Sequence, residues 1–587
     1  MSLKTDKRQG FLSGAFILVI ATAIVKVIGA FFKMPLTELL GGDGMGYFST
    51  AYSLFNPVSA IAITGLPVAV AKIVAANGAR GNYNNIRKLF RITTIVFSAI
   101  GVLGFLIIAF LAKPFSEAVS NPGAYYALTA IAPAMLFACL MSIFRGYYQG
   151  LHNMFPTAIS QITEALFKLI CGYLFASIIL NYGMSSFSET GVVFGKAASS
   201  QTEALSIVLP FASAGAILGI SLSTGFGFLY LFLRHKIKKD GITEEQLNLS
   251  PPASSSKALV RELLKTAVPV TLAALVTNLT TLIDVSSLMQ RIAIASRDGS
   301  EIIYGMYDGL IPETAIYAGN LPNYLYGIYN SMVITVFNLV PAVIAGIGIS
   351  ALPMVTHNYE QKNIAGLRDS VESVLRIASL FAIPAGLGIF SLSEPILRIL
   401  FYSRTMEIEI ATPLLCMMGI TCMFSSMCLP VYNMLQGIGK ASSTVFIMLI
   451  GGAVKLSVNY FLAAKPEINI MAAPIGSLCC YGVIIIISLI VLLNTLKIRI
   501  NLFKIFGKTF FCGAVCALTA KLSNELLSKI FFGSRLKEAF SVLVSIGIGC
   551  IFYAFVLFLT KTITKNEIFM LPKGKNIAKV LEKLKII

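Results

Sequence analysis

The sequence has no tryptophan and, for its length, very little charge. Only 12% of its 587 residues are charged and 56% are hydrophobic, whereas a soluble domain carries about 25% charged residues. A soluble fold would have to bury many apolar runs of about 20 residues at once, so the composition excludes that class and indicates a polytopic membrane protein. In the absence of tryptophan, tyrosine and phenylalanine must supply any aromatic belt at the membrane interfaces.

Histidine and cysteine are too scattered to predict a metal site or a disulfide framework. The three histidines fall near predicted loops, and the ten cysteines lie mostly isolated within apolar runs. The nucleotide-binding loop with its lysine, the HExxH of zinc proteases and the GxSxG of serine hydrolases are also missing. We therefore expect no metal, no cofactor and no enzymatic activity, and a transport process driven by an ion gradient, the membrane potential or substrate flux.

The excess of positive charge is explained by membrane topology. A net charge of +19 would suggest a nucleic-acid partner for a soluble chain, but basic residues of membrane proteins collect in cytoplasmic loops. When loops are assigned alternately to the two sides, most lysines and arginines fall on the side of the N-terminus. This bias predicts a plasma-membrane protein with both termini in the cytoplasm, an even number of spans, no cleaved signal peptide and no nucleic-acid partner.

Hydrophobicity predicts an all-α protein with about fourteen transmembrane helices, each long enough to cross a hydrocarbon core of about 30 Å. Loop signals place the boundaries between the spans to within several residues. The predicted spans are 10–33, 46–72, 89–113, 124–148, 155–181, 203–233, 263–290, 323–350, 371–393, 408–432, 440–463, 469–495, 505–528 and 537–560.

An internal repeat divides the first twelve spans into two similar sets of six. EALFKLICGYLFA at 164–176 matches GGAVKLSVNYFLA at 451–463, and Gln149 recurs as Gln436 at the same spacing. Because six helices return the chain to its starting side, both copies run in the same direction. This predicts two six-helix lobes in parallel repeat with the substrate path between them, plus two extra C-terminal helices.

The predicted organisation has five parts. They are an N-terminal lobe over 1–234, a cytoplasmic linker over 235–262, a C-terminal lobe over 263–496, an extra helix pair over 497–562 and a basic amphipathic tail over 563–587. Proline and serine in the linker predict a flexible connection. Lysines around one apolar face of the tail predict a helix on the anionic lipids of the inner leaflet, with a solvated tail as the alternative.

Lysines inside the spans are the first candidates for a binding site. Lys26 lies deep in the first span, where its charge costs at least a few kcal/mol unless it faces water or a partner. We interpret it as a ligand for an anionic group, the alternative being a side chain that extends to the interface. The candidate substrate-binding residues are Lys26, Lys33, Lys168, Lys455 and Gln149.

Two carboxylates inside the spans are candidates for ion coupling or for ion pairing. Glu164 lies one helical turn before Lys168, so the two could neutralise each other within one helix or form a proton site. Asp284 is a lone carboxylate of the seventh span, which suits a coupling-ion site or a partner for a buried lysine.

Three segments carry a resemblance to a known group. They are the N-terminal stretch 10–48 with its glycine-rich LGGDGMGY, then GLPVAVAKIVAANGARGNY at 65–83, and FRGYYQGLHNMFPTAISQITEALFKL at 144–169. These residues resemble the polysaccharide-flippase branch of the MOP superfamily (multidrug, oligosaccharidyl-lipid and polysaccharide exporters). Within it they are similar to stage V sporulation protein B and to the MurJ-type lipid II flippases of Gram-positive bacteria.

The resemblance implies a V-shaped pair of lobes around a cationic cavity, with the extra helix pair lining a groove for a lipid tail. It implies an undecaprenyl-diphosphate sugar as substrate, bound through basic residues of the first two helices. Lys26 occupies the first basic position of the first helix and Lys33 falls near the second, whereas the second helix carries only Lys72, at its cytoplasmic end. Lysine binds phosphate as a point charge, without the bidentate geometry of arginine.

The predicted function is a flippase that moves a lipid-linked cell-wall or polysaccharide precursor, with lipid II as one candidate, by alternating access. Its expected partners are this lipid, anionic inner-leaflet lipids and cell-wall synthesis machinery, in vegetative growth or sporulation. The alternatives are a cation-coupled multidrug exporter that uses Asp284 or Glu164, and a membrane glycosyltransferase or polymerase with carboxylates in the loop 291–322. A non-transporting assembly factor is a third.

Overall fold

The computed structural model describes residues 11–60, 62, 65–531 and 533–560. Within these ranges the chain is helical apart from loops and one short hairpin, in which Val192–Val193 pairs antiparallel with Lys196–Ala197. Twelve of the described helices are long and apolar enough to cross a membrane. The predicted all-α membrane fold is therefore confirmed, while the predicted basic tail lies outside the described residues.

The difference between twelve helices and fourteen predicted spans has a local cause. The first span and the start of the second belong to one helix, Phe11–Ala60, which is broken at Gly41. Gly41 has φ 62°, a left-handed conformation that glycine adopts without a Cβ clash. The seventh span lies in Ser256–Asp298, a 43-residue helix.

The described chain forms two compact units, and the first ends at Ser331 and also takes in Ala464–Ile470. Its helices are α1 (Phe11–Ala60), α2 (Leu66–Ala79), α3 (Tyr83–Ala118), α4 (Tyr125–Gly150), α5 (Phe155–Thr190), α6 (Gln201–Lys238), α7 (Glu244–Asn248), α8 (Ser256–Asp298), α9 (Ser300–Met306), α10 (Glu313–Ala318) and α11 (Leu321–Ile328). The helices α4, α5 and α6 make the most extensive contacts, and α1 packs against all three.

The core of the first unit is held by close helix packing. A Cβ added to Gly215 of α6 would lie 2.6 Å from Ile179 of α5 and 3.0 Å from the Phe175 carbonyl oxygen. Small residues of this kind let membrane helices approach closely, where dispersion and packing replace the hydrophobic effect.

The segment 464–470 joins the first unit through a buried tyrosine. The Tyr307 hydroxyl donates a hydrogen bond of 2.6 Å to the Asn469 side-chain oxygen. Burial raises the pKa of Tyr307 to about 12, so the hydroxyl remains a donor at neutral pH. This contact fixes the loop after α9 to the segment.

The second unit comprises Met332–Ala463 and the described chain from Met471 onward. Its helices are α12 (Ile334–Phe337), α13 (Leu339–Glu360), α14 (Ile364–Ser391), α15 (Ser393–Leu400), α16 (Thr405–Gly437), α17 (Ala441–Leu462), α18 (Ala472–Leu496), α19 (Leu502–Ile530) and α20 (Arg535–Leu559). The extra pair α19 and α20 packs together, and Tyr553 donates a 2.7 Å hydrogen bond to the Leu380 carbonyl of α14.

The contact grouping and the predicted lobe boundary differ. The helices α8 to α11 follow the predicted linker, yet they belong to the first unit: α8 packs on α1 and α2, α11 on α1, and α10 on α6. The division into two repeated lobes stays a prediction.

The segment between α6 and α8 is tied to the first unit, although its composition predicts a flexible linker. Asn84 donates hydrogen bonds to the carbonyl oxygens of Leu247 (3.1 Å) and Ser250 (3.2 Å). Asn85 accepts from the Ser254 backbone N–H at 2.7 Å. Asparagine side chains at the start of α3 therefore hold the backbone of this segment in one place.

We expect Asn84→Ala to loosen this segment, because its backbone carbonyls would lose their donors. Cleavage by a glutamate-specific protease at 244–245 should become about fivefold faster, the ratio expected when about 1 kcal/mol of hydrogen bonding is lost. Asn82→Ala is the matched control, since the Asn82 side chain makes no cap bond to α3. Equal cleavage rates in wild type and Asn84→Ala would contradict the expectation.

Candidate functional site

A polar cavity of about 270 Å³ lies inside the first unit. Its walls come from α1, α4, α5 and α6, the helices that form the centre of this unit. The lining residues are Thr22, Val25, Gly29, Tyr52, Phe55, Asn56, Ser59, Ala138, Arg145, Gln161, Glu164, Ala165, Lys168, Ile220 and Thr224. Three of these are charged, which is unusual inside an apolar helix bundle.

Arg145 of α4 is the most buried charge of this cavity, with 7% exposure. Its Nη2 donates a 3.0 Å hydrogen bond to Glu164 Oε2, and its Nε donates a 2.9 Å bond to Ser160 Oγ. Charge-assisted bonds of this kind are roughly twice as strong as neutral ones. The pair fixes α4 to α5 and neutralises both charges.

The structure gives Glu164 a partner that the sequence does not indicate. The sequence leaves open a pair with Lys168 within α5 or a proton site, whereas Glu164 points to α4 and binds Arg145 there. Sequence reasoning missed Arg145 because it lies in the FRGYYQG segment near the end of a predicted span. The available signal was that a charged residue lies five positions before the end of the helix, Gly150.

Lys168 is held against the second segment of α1 by an aromatic cage. Its Nζ donates a 2.8 Å hydrogen bond to the Tyr52 hydroxyl. The ammonium also lies 4.7 Å from the centre of the Tyr52 ring and 5.2 Å from that of Phe32. A cation over desolvated aromatic faces gains about 2 kcal/mol, so the cage orients the charge without neutralising it.

Lys33 brings a second positive charge to the same region. Its Nζ donates a 3.2 Å hydrogen bond to the backbone carbonyl of Asn330. Lys33 directly follows Phe32 in α1, and the Lys168 ammonium lies 5.2 Å from the centre of that Phe32 ring. Two like charges in a poorly screened interior disfavour one another, and an anion placed near both would relieve that repulsion.

The other predicted site residues lie elsewhere. Lys26 of α1 is exposed, although its neighbours Val25 and Gly29 line the cavity. Gln149 lies half-buried one residue before the end of α4, outside the lining. Lys455 is buried in α17 of the second unit, and Asp284 is buried in α8 of the first.

Gln161 offers a hydrogen-bond acceptor to the cavity. Its Oε1 is buried and has no hydrogen-bond partner among the described residues. Buried polar atoms are nearly always paired, so one that faces a cavity is available to a water or a hydroxyl of a bound molecule. Within the described ranges, no three histidine, cysteine or acidic side chains lie close enough to hold a metal ion.

These features define a polytopic α-helical membrane protein of the transporter class, with a cationic pocket inside its first unit. The chain belongs to the family of polysaccharide biosynthesis proteins, whose family profile matches residues 11–312, and it is a member of the MOP superfamily. The profile of a second family, MatE, matches residues 330–461.

Two curated proteins of Bacillus subtilis (strain 168) are similar over most of the chain. Stage V sporulation protein B is 22% identical over 568 residues, which cover 96% of this chain and 98% of that protein. Lipid II flippase MurJ is 24% identical over 490 residues, which cover 81% and 82%. The suspected relation to these two groups is confirmed.

Solved structures with the same fold come from two transporter groups. Lipid II flippase MurJ in an inward closed conformation has a TM-score of 0.57 at 14% identity, over 92% of this chain and 99% of that one. An inward-facing MATE family multidrug resistance transporter has a TM-score of 0.58 at 13% identity, over 81% and 98%. The likeness establishes the fold.

Proposed function

We propose that this protein is a plasma-membrane flippase for a lipid-linked oligosaccharide that carries a diphosphate. The observation that carries the proposal is the cationic pocket of the first unit, which Lys168 lines, with Lys33 directly after Phe32 of the same aromatic cage. The similarity to a stage V sporulation protein and to a lipid II flippase supports it. Transport by alternating access, without enzymatic chemistry, fits such relatives.

The charge balance of the pocket suits a diphosphate. Arg145 and Glu164 neutralise each other, so the net positive charge of the lining comes from Lys168, and Lys33 adds a second positive charge beside the aromatic cage. Among the residues that the structure describes, the hydrogen bond of each lysine goes to a neutral oxygen, and an anionic phosphate oxygen is the stronger acceptor. The headgroup would exchange these contacts for its own while the polyprenyl tail remains in the lipid.

The remaining predicted residues receive roles in this proposal. Lys26, exposed two turns before Lys33, would meet the headgroup on entry. Lys455 is a second cationic contact on the repeated helix, and Gln149 a polar one. Both termini would be cytoplasmic, and the tail would bind anionic inner-leaflet lipids. The first candidate for the transported lipid is lipid II, which cell-wall synthesis enzymes would then receive.

Reconstitution into liposomes tests the function. Fluorescent lipid II, an undecaprenyl-diphosphate disaccharide and a fluorescent phosphatidylcholine would be compared, with a membrane-impermeant quencher reporting the leaflet. We expect the two diphosphate lipids to cross in a protein-dependent manner and phosphatidylcholine not to. Equal rates for all three lipids, or none above empty liposomes, would contradict the proposal.

Asp284 supports a second candidate, export of cationic drugs coupled to an ion. It is a carboxylate buried in α8, at 7% exposure, and ionisable groups inside membrane helices are functional by default. Protein-dependent efflux of a lipophilic cationic dye from the same liposomes, abolished by Asp284→Asn and unaccompanied by movement of diphosphate lipids, would favour this function instead.

A further inference from the structure

The helix α11 packs on the second segment of α1 at unusually short range. A Cβ added to Gly42 would lie 2.6 Å from the Tyr324 ring. A Cβ on Gly46 would collide with the Asn323 carbonyl, and one on Gly327 would collide with the Gly42 carbonyl. Glycines on both helices therefore allow backbone-to-backbone contact, as in small-residue membrane helix pairs. We call this the glycine contact.

Buried asparagine side chains form a series of hydrogen bonds at one end of the glycine contact. We call this series the asparagine chain. Asn121 donates to Thr50 Oγ1 at 3.0 Å and to Asn323 Oδ1 at 2.8 Å. Asn320 donates to Asn121 Oδ1 at 3.0 Å, and Asn323 donates to the Asp43 carbonyl at 2.8 Å. The linking groups are neutral side-chain amides and a hydroxyl. Such bonds hold a closed state but can be exchanged for water, unlike a buried ion pair.

A discontinuity in the helix follows α11 directly. Tyr329–Val333 form a π-helical turn, and the first compact unit ends within it at Ser331. The Ser331 hydroxyl is buried and has no hydrogen-bond partner among the residues that the structure describes. Single π-turns are common at functional sites, where they interrupt the regular hydrogen-bond ladder. The chain can therefore bend here without breaking a regular helix.

Lys33, next to the aromatic cage of the pocket, is hydrogen-bonded to this turn. Lys33 Nζ donates to the backbone carbonyl of Asn330, inside the turn, at 3.2 Å. The Asn330 side chain donates to the Tyr326 hydroxyl at 3.1 Å, and that hydroxyl shares a 2.8 Å hydrogen bond with Ser53 Oγ of α1. A short path of hydrogen bonds, through Asn330, thus connects Lys33 to α11.

We propose that α11 is a gate, sealed by the glycine contact and the asparagine chain, and that a diphosphate in the pocket releases it by drawing Lys33 away from Asn330. The seal stands on the packing alone, whereas its release by substrate rests on the proposed function. The proposed function places both termini in the cytoplasm. In that orientation the glycine contact lies at the external side of the membrane, and the seal closes that side. Binding a ligand shifts such a two-state element only if the ligand contacts differ between the states, and the Lys33 bond supplies that difference.

Hydrogen–deuterium exchange of the full-length protein in lipid nanodiscs tests the seal. Gly327→Ala should force α11 away from α1, and Asn323→Ala should open the asparagine chain without adding bulk. We expect amides of 321–328 to exchange about tenfold faster in both variants, because local opening sets their rate. Gly305→Ala is the matched control, since a Cβ there meets nothing within 4 Å.

Peptides from α5 and α6 report global unfolding in the same experiment. Faster exchange confined to 321–328 and 42–50 supports the gate. Wild-type exchange at 321–328 in both variants, or acceleration spread equally over α5 and α6 in both, overturns it.

Addition of undecaprenyl diphosphate tests the release. Wild-type protein should exchange about threefold faster at 321–328 when the lipid is bound, and Lys33→Gln should show no such change. Lipid binding is measured separately by native mass spectrometry of the wild type. Binding without faster exchange overturns the release while leaving the proposed function intact. Absence of binding overturns the release together with the proposed function, and the glycine and asparagine variants then decide the seal by themselves.

Discussion

Arg145→Gln is expected to destabilise the protein by about 3 kcal/mol, the lower end of the cost of removing one partner from a buried ion pair. Glu164 would keep its charge with 26% of its side chain exposed, which moderates the loss but does not remove it. The apparent midpoint of thermal unfolding should fall by several degrees. A thiol-reactive dye can follow this transition, because buried cysteines such as Cys139 become accessible on unfolding.

The double variant Arg145→Gln/Glu164→Gln should regain at least half of the lost stability, since two amides can bond to each other and no charge is left alone. Arg398→Gln serves as the control, because its ion pair with Glu394 is about half exposed on both sides and contributes little. A midpoint shift in Arg398→Gln as large as that in Arg145→Gln would contradict the assignment. So would a double variant that is less stable than the single one.

Lys33→Gln and Lys168→Gln are each expected to lower the rate of diphosphate-lipid flipping about tenfold or more, because hydrogen bonds to charged groups contribute about 1.5–3 kcal/mol. Lys33→Arg should retain much of the rate, since it preserves the charge. The measurement is the initial rate in liposomes, normalised to the amount of folded protein recovered.

Lys196→Gln is the matched control for these two variants. Lys196 is exposed in the short hairpin, outside the pocket, so its substitution should leave the rate unchanged. Wild-type rates in both pocket variants would show that these lysines do not bind the headgroup. Loss of activity in all three variants would assign the effect to total charge rather than to the pocket.

Residue patterns identified the spans and the cations, and missed what depends on contact between distant segments. Hydrophobic length was enough to predict the helices, and the cost of a buried charge was enough to single out Lys168. The bond between Glu164 and Arg145 joins α5 to α4, and no periodicity within α5 could indicate it. The position of Lys33 against Asn330 joins residues nearly three hundred positions apart, which the sequence alone could not reveal.

The glycine-rich segment is a second case in which the sequence alone could not give the structural role of a residue. The predicted spans 10–33 and 46–72 place most of this segment between two helices, and Gly41 adopts a left-handed φ of 62°. Gly42 and Gly46 are helical instead, and are small because α11 lies against them. A glycine needed for its conformation and one needed for its lack of a side chain look alike in a sequence.

The hydrogen bonds between α3 and the segment before α8 restrain the start of α8. Lys88 of α3 donates a 2.7 Å hydrogen bond to the Ser254 carbonyl, and α8 begins at Ser256. The chain between the hydrogen-bonded Ser254 and the start of α8 is therefore one or two residues long, which allows about 3–7 Å of movement. Any movement that carries the start of α8 farther than this must first break the hydrogen bonds that hold Ser254. These asparagine and lysine contacts therefore limit how far the start of α8 can move.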